Sequence, residues 1–465
     1  EAQARKRFDK IHLIQPDVHL TQFHKQTDFI SRELEVNAQK NLDSVALAGL
    51  LIDDLRMDKG SLTWTFSDSA VEPLKLKDVS VYSRAFETSG KSVPQYEFLT
   101  LNAGEFSRKI ADDYYTLFVQ SLSFDSRQQA LILNGMRLEP TYSIFEFAKK
   151  AGWEKTRLEM QLGTLALAGF DERKLLENQS LEARNATFDS LWIRSFKDKR
   201  YPPASRTLPL PAVQLMGLPF TLTLDTVMLR RGQVIHHQIS KNGIKAGRMT
   251  FGNLFAFGTN ITNDSARIAA QKFAQLEAQF LLQGSGQIAA SLQFNLADPN
   301  GSFTGEGYMG NMDLTAFNEY LEPVAFTSVR SGMANSMRMK MVADNEMAFG
   351  EMVFTYEQLK LHFLNKERPD GRGLGVALKT FMANSVVNTK NPHYFITKKG
   401  DIYFERDTSK GIFHYLGRSA LSGVVSSIGV DKNKKIIRQI KREKMREAKA
   451  RREEEEELIN SEPEK

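Results

Sequence analysis

Along QIAASLQFNL, residues 287–296, apolar and polar positions alternate, with Ile288, Ala290, Leu292, Phe294 and Leu296 on one side and Gln287, Ser291, Gln293 and Asn295 on the other. A period of two places the first set on one face of a β-strand. SLTWTF sets Leu62, Trp64 and Phe66 against Thr63 and Thr65, and PLKLKDVSVYS sets Leu74 and Leu76 against Lys75 and Lys77. FTLTLD, MRMKM and LKLHF repeat the pattern with Leu222 and Leu224, with Met337, Met339 and Met341, and with Leu359, Leu361 and Phe363. One-sided strands of this kind build antiparallel sheet with a wet face and a dry one. Many strands without a βαβ rhythm argue against a doubly wound α/β enzyme.

Helical punctuation is sparse. SIFEFAKKAGW predicts a helix over Ser143–Trp153, with Ser143 as N-cap and Glu146 completing a capping box. Further helices are expected over Ala269–Ala278 and Leu374–Val387. The Pro-rich YPPASRTLPLP, residues 201–211, fits neither a central strand nor a helix interior and is read as a domain boundary. The chain then divides into a β-rich region over 1–200, the boundary, a second β domain over 212–430 and a charged tail over 431–465. The tail runs from a block of bases into Glu453–Glu457 without an apolar stripe, which predicts a solvated helix or disorder. The expected fold class is mainly β: an elongated, curved antiparallel sheet, open as a groove or closed as a sandwich, with a few short helices.

Composition narrows the function classes. The 465 residues, 41% hydrophobic and 25% charged, are enough for two or three packed domains. Net charge is +6, of which residues 432–465 contribute roughly three. The body is thus only mildly basic, and acids interrupt the bases of the tail with no aromatics between them, so nucleic acid is not an expected partner. With no cysteine, disulfides and thiolate zinc sites are excluded. No run approaches the roughly 18 apolar residues of a spanning helix, and EAQARKRFDK lacks a signal-peptide pattern, so the numbering is expected to begin inside a longer protein.

Catalytic motifs are missing in the forms tested. Gly371, Gly373 and Gly375 match neither the P-loop nor the dinucleotide fingerprint. Asp298, Asn300 and Ser302 have calcium-loop spacing, but Phe303 stands where glycine is needed and Met309 where a bidentate Glu is needed, so a β-turn at 299–301 is the better reading. His236 and His237, adjacent in a strand, face opposite ways. No catalytic residue, metal ligand or cofactor is assigned, and a non-enzymatic protein is expected.

The order of segments carries a resemblance. LPFTLTLDTVMLRRGQVIHHQ (218–238), GRMTFGNLFAFGTNITND (247–264), GSGQIAASLQFNLADPNGSFTGEGYMGNMDLTAFNEYLEP (284–323), VRSGMANSMRMKMVADNEMAFGEMVFTYEQLKLHFL (329–364) and FERDTSKGIFHYLGRSALSGVVSSIG (404–429) together resemble the AsmA-like proteins of Gram-negative envelopes, in the version common among Bacteroidota. Weaker echoes lie in LEPTYSIFEFAKKAGWEKTRLEM and SLEARNATFDSLWIRSFKDKRYPP. The resemblance implies a relative of AsmA and TamB: a largely periplasmic protein anchored in the inner membrane, with a long curved sheet whose concave face is apolar, linked to outer-membrane biogenesis and phospholipid movement. It brings no catalytic residues. The chain departs from the family in lacking the N-terminal anchor and in carrying the charged tail.

Periodicity and resemblance together nominate Ile288, Leu292, Phe294, Met337, Met339, Met341, Leu359 and Leu361 as the lining of a lipid groove. Acyl chains would gain roughly 0.8 kcal/mol per buried CH₂, and methionine adapts to chains of varied shape. The rival expectation is a closed sandwich in which the same stripe packs on a second sheet, leaving the tail or a strand edge to recruit envelope protein partners.

Overall fold

The computed structural model describes residues 6–22, 34–36, 50–66, 73–88, 94–364 and 388–429. The helix expected over Leu374–Val387 and the charged tail lie outside them. The fold is mainly β, and the chain divides into two compact units: unit 1 holds residues 1–204, 212–284 and 295–297, unit 2 the remainder.

Unit 1 is an open mixed sheet. Its strands are β1 (Lys6–Ile14), β2 (Asp17–Gln22), β3 (Leu34–Val36), β4 (Leu50–Phe66), β5 (Leu74–Glu87), β6 (Phe98–Ala103), β7 (Phe106–Ile110), β8 (Tyr115–Val119), β9 (Ser121–Asp125), β10 (Ala130–Pro140), β11 (Arg157–Ala168), β12 (Ser180–Asp198), β13 (Thr221–Ile239), β14 (Gly247–Thr262) and β15 (Phe273–Leu282). Pairing runs β4–β5–β6–β9–β10–β11–β12–β13–β14–β15, with β1 and β2 on β4, β3 on β2, and β8 on β10 ahead of β7. Most pairs are antiparallel, as the alternation suggests, but β1–β4, β2–β4 and β12–β13 are parallel.

Two helices sit at opposite ends of the strands. α1 (Ile144–Ala151) has the expected capping box: the Glu146 carboxylate accepts from the Ser143 backbone N–H at 3.3 Å and from its hydroxyl at 2.6 Å. Its Phe147, fully buried, meets the rings of Tyr114 and Tyr115, and Phe145 meets Phe196. α2 (Glu172–Asn178) lies against the other end of β12, where Lys174 pairs with Glu182 at 2.6 Å.

In unit 2 the order is β16–β17–β19–β20–β21, for β16 (Gly286–Asn295), β17 (Phe303–Met309), β19 (Thr327–Ala343), β20 (Met347–Phe363) and β21 (Lys399–Glu405), with β18 (Met312–Asp313) also on β19. After α3 (Pro211–Met216) and α4 (Ser265–Ala270) in the preceding chain come a 3₁₀ turn (Leu314–Phe317), α5 (Asn318–Ala325) and α6 (Ile412–Ser427). α6 caps the β21 edge: Ser426 and Ser422 hydroxyls accept from the backbone N–H groups of Asp401 and Tyr403, at 2.9 and 3.0 Å. Gly400 and Gly423 permit that approach, since a Cβ on Gly400 would stand 2.3 Å from the Gly423 carbonyl oxygen.

Two sequence expectations are corrected. Ala269–Ala278 is not one helix: α4, capped by Asp264, ends at Ala270, and from Phe273 the chain pairs with β14 as β15. Its residues are good helix formers, yet Leu276, Ala278 and Phe280 recur with period two against exposed Gln275, Glu277 and Gln279, and pairing overrides propensity. Nor does 201–211 separate successive domains. The strands flanking it, β12 and β13, pair in parallel over Ser180–Asp198 and Thr221–Ile239, which requires a crossover there. Residues 205–211 themselves belong to unit 2, where the Leu208 N–H donates to the Thr408 carbonyl at 2.7 Å and Leu210 is fully buried.

Candidate functional site

Following register partners across unit 1 gives a transverse row of apolar residues. It passes from Leu101 through Phe124, Leu131, Leu167 and Ala186 to Val227, and continues the other way through Val81, Met57 and Leu13. Next to it Leu122, Leu133, Leu165, Phe188 and Leu229 form a second row. Nearer α1 a third joins Leu138, Met160, Ile193, Val234 and Phe251. The opposite face carries the Arg137–Glu139, Arg231–Asp189 and Arg157–Glu159–Arg194 ion pairs.

Strict alternation would not produce this face, because the inward residues change parity along each strand. Leu117 and Val119 give way to Leu122 and Phe124, Leu133 to Met136, Leu162 to Leu165, Phe188 to Leu191, and Leu229 to Gly232 and Val234. The extra residue falls at one level across the sheet, at Gln120, Gly135, Gly163, Ser190, Arg231 and Asn253. Gly135, Ser190, Arg231 and Asn253 have φ of 59°, 60°, 53° and 49°, the left-handed backbone that absorbs one surplus residue. A line of bulges thus keeps one face dry on both sides of it.

The dry face is only half closed. Phe124 and Leu167 are buried, but Leu131, Leu133, Leu165, Phe188, Val227 and Leu229 are half-buried, as is every member of the third row.

Unit 2 repeats the arrangement. Leu292, Gly305, Met341, Gly350 and Ile402 form one row, and Ala290, Gly307, Met339, Met352 and Gly400 the next. Of the nominated residues, Ile288, Leu292, Phe294, Met337, Met339 and Met341 share this face on β16 and β19, the strands either side of β17. Ile288, Leu292, Met337 and Met339 are half-buried, while Phe294 and Met341 are buried. Leu359 and Leu361 are not beside them: they follow a bulge at Gln358 farther along β20, where Leu359, only 5% exposed, packs with Leu314 beside Gly332. At its β21 side the face is sealed, with Met352 and Ile402 against Gly423 and the Phe303 and Phe404 rings beside Tyr415.

The larger face of unit 1 escapes periodicity reading because each parity change interrupts the alternation, and only Gly135 and Gly163 mark it in the sequence. Periodicity does not announce α6 either. Its Arg418 lies 5.8 Å from the Phe404 ring, and burial lowers its pKa.

Several buried polar groups among the described residues are paired with one another. Buried Asp198 would be pushed up by burial, but Arg200 at 2.6 Å outweighs this and holds it below the usual carboxylate range. Glu154 faces Lys197 at 3.4 Å. His236 bonds the Ser195 hydroxyl through Nδ1 at 2.8 Å, and burial, reinforced by Lys199 and Lys197, brings its pKa down to about 4. Among the described residues no three His, Asp or Glu are grouped to hold a metal, and no helix is long and apolar enough to cross a membrane. Comparison with protein-family models and with curated proteins found no match to this chain.

Proposed function

We propose that this is a non-enzymatic cell-envelope protein that carries phospholipid acyl chains on the apolar face of its sheets, as its resemblance to AsmA-like proteins implies. The observation that carries the reading is the run of half-buried apolar rows across unit 1. Neighbouring strands lie about 4.8 Å apart, so a row crossing nine strands extends over roughly 38 Å. One leaflet's acyl chains, about half of a ~30 Å hydrocarbon core, would cover only three or four strands of it. Contacts of this kind are non-directional and repeat from strand to strand, so a chain could shift along the face without leaving a deep minimum. We place this activity in the periplasm, at the inner membrane and in support of the outer one.

The sealed part of unit 2 favours a second reading for that unit alone, a scaffold whose face is core. Native mass spectrometry with lipid extraction, against a closed β-sandwich as control, tests the main reading. Co-purified phospholipid that exchanges with added lipid supports it. A chain that arrives clean and takes up none refutes it.

A further inference from the structure

Asn391 to Lys398 form a short hairpin projecting from β20. The His393 and Ile396 backbones bond each other both ways, Ile396 N–H to His393 O at 3.0 Å and His393 N–H to Ile396 O at 3.1 Å, leaving Tyr394 and Phe395 as a two-residue turn. Both have left-handed backbone, φ 47° and 68°. That pair of angles defines the turn in which Asn-Gly is the favoured sequence, and two bulky aromatics are the reverse of what it prefers. The side chains gain little from packing in return: Tyr394, Phe395 and Ile396 are 78%, 103% and 74% exposed, with Tyr394 set edge-on to the neighbouring His393 ring.

The base of the hairpin, by contrast, is firmly held. Asn391, 2% exposed, exchanges both backbone bonds with Tyr356, donates its side-chain amide to the Lys398 carbonyl at 3.0 Å and accepts from the Lys398 N–H at 2.8 Å. Local strain, a rigid base and three outward apolar side chains in sequence mark a tip kept for contact with something outside the chain.

We propose that this tip inserts into the interfacial layer of a phospholipid bilayer. Lys390, Lys398 and Lys399 flank it within a few residues, against Asp401 in the same stretch and Glu351 at 3.4 Å from Lys399, so the three bases exceed these two acids by one. An aromatic and aliphatic point with a cationic collar matches the acyl boundary and the anionic headgroups above it. A convex tip needs no shaped receptor, which a bilayer does not offer and a protein partner would. The inference stands on the tip alone and does not require a loaded sheet face, whose readout remains extracted lipid.

The chain has no cysteine, so Phe395→Cys accepts a single environment-sensitive fluorophore, with Lys241→Cys on an exposed loop of unit 1 as control. Phosphatidylcholine vesicles with and without phosphatidylglycerol are the probe. The label at 395 should shift to the blue and be quenched by lipid-borne quenchers, more strongly with phosphatidylglycerol, while the control stays silent. Tyr394→Asn/Phe395→Gly relaxes the turn. It should melt at or above the wild-type temperature yet lose vesicle sedimentation by on the order of 10-fold or more.

A silent label at 395 overturns the proposal, as does a relaxed variant that sediments like wild type. A clear drop in its melting temperature would show that the tip packs structurally, and an equal drop in Phe395→Ser would overturn the proposal too. A response confined to native membranes and abolished by protease would assign the tip to a protein partner instead.

Discussion

Met339 and Met352 are register partners on β19 and β20 and share the dry face of unit 2, but one is half-buried and the other fully buried. Replacing each by glutamate therefore separates an accessible face from a sealed one within a single pair. At Met352 the change forfeits about 1.5–3 kcal/mol of side-chain burial. It also places a carboxyl against Gly423 and Ile402, where a pKa raised by about three units adds roughly 4 kcal/mol near neutral pH. A total of about 5–7 kcal/mol rivals the stability of a whole domain. At Met339 about half the burial is lost, roughly 1 kcal/mol, and the carboxylate reaches water.

Urea unfolding followed by circular dichroism measures the difference. With a slope of about 2 kcal/mol/M, Met352→Glu should shift the unit 2 transition some 2 M or more below that of Met339→Glu. The sign of the pH effect follows from the raised folded pKa. The ionisation part of the penalty at Met352 is full above that value and vanishes as pH falls below about 4.3, where both states are protonated, leaving only the lost burial. Equal, large losses in the two variants would refute the reasoning, because they would mean that Met339 is sealed in solution.

Deleting Ser190 should turn Leu191 and Ile193 to the wet face and collapse the thermal transition, whereas Ser190→Gly, which suits φ of 60°, should change stability by no more than about 1 kcal/mol. His236, with a folded pKa of about 4 against about 6.5 unfolded, binds its proton more readily in the unfolded chain. Stability should thus fall, by up to about 3 kcal/mol, as pH drops from 6.5 toward 4, and melting curves of His236→Gln should lack that loss. Gly400→Ala drives a methyl into the Gly423 carbonyl and should cost about 1–3 kcal/mol while freeing the β21 edge, which size-exclusion chromatography would register as self-association.

Where the chain keeps one phase, its structure was legible. Ile288–Phe294 and Met337–Met341 lie on the face that period two assigns them, and the capping box at Ser143 is present. So is the turn after Asp298, whose carbonyl accepts from Gly301 N–H at 2.9 Å. Legibility ended where one residue shifts the phase. Ser190, Arg231 and Asn253 carry no glycine signal, so the rows through Leu165, Ile193 and Val234 read as irregular sequence. Long-range register was hidden for another reason: the parallel partnership of β12 and β13 depends on where a 22-residue crossover returns, which local pattern does not encode. Proline near 201–211 reported a break in regular structure but not which unit the broken segment joins.

That segment also sets a clock for folding. Leu208 presents its carbonyl to Arg406, 198 residues downstream, and its N–H to Thr408. At about 5–20 residues per second, the chain emerges from the ribosome with this apolar stretch unmatched for roughly 10–40 s. The β12–β13 pair can form during that wait, because both strands are complete by Ile239. Unit 2 cannot close until β21 and the residues just after it arrive, so its assembly is bound to the late part of synthesis. Any chaperone that shields Leu208 and Leu210 would be needed in that interval and dispensable afterwards.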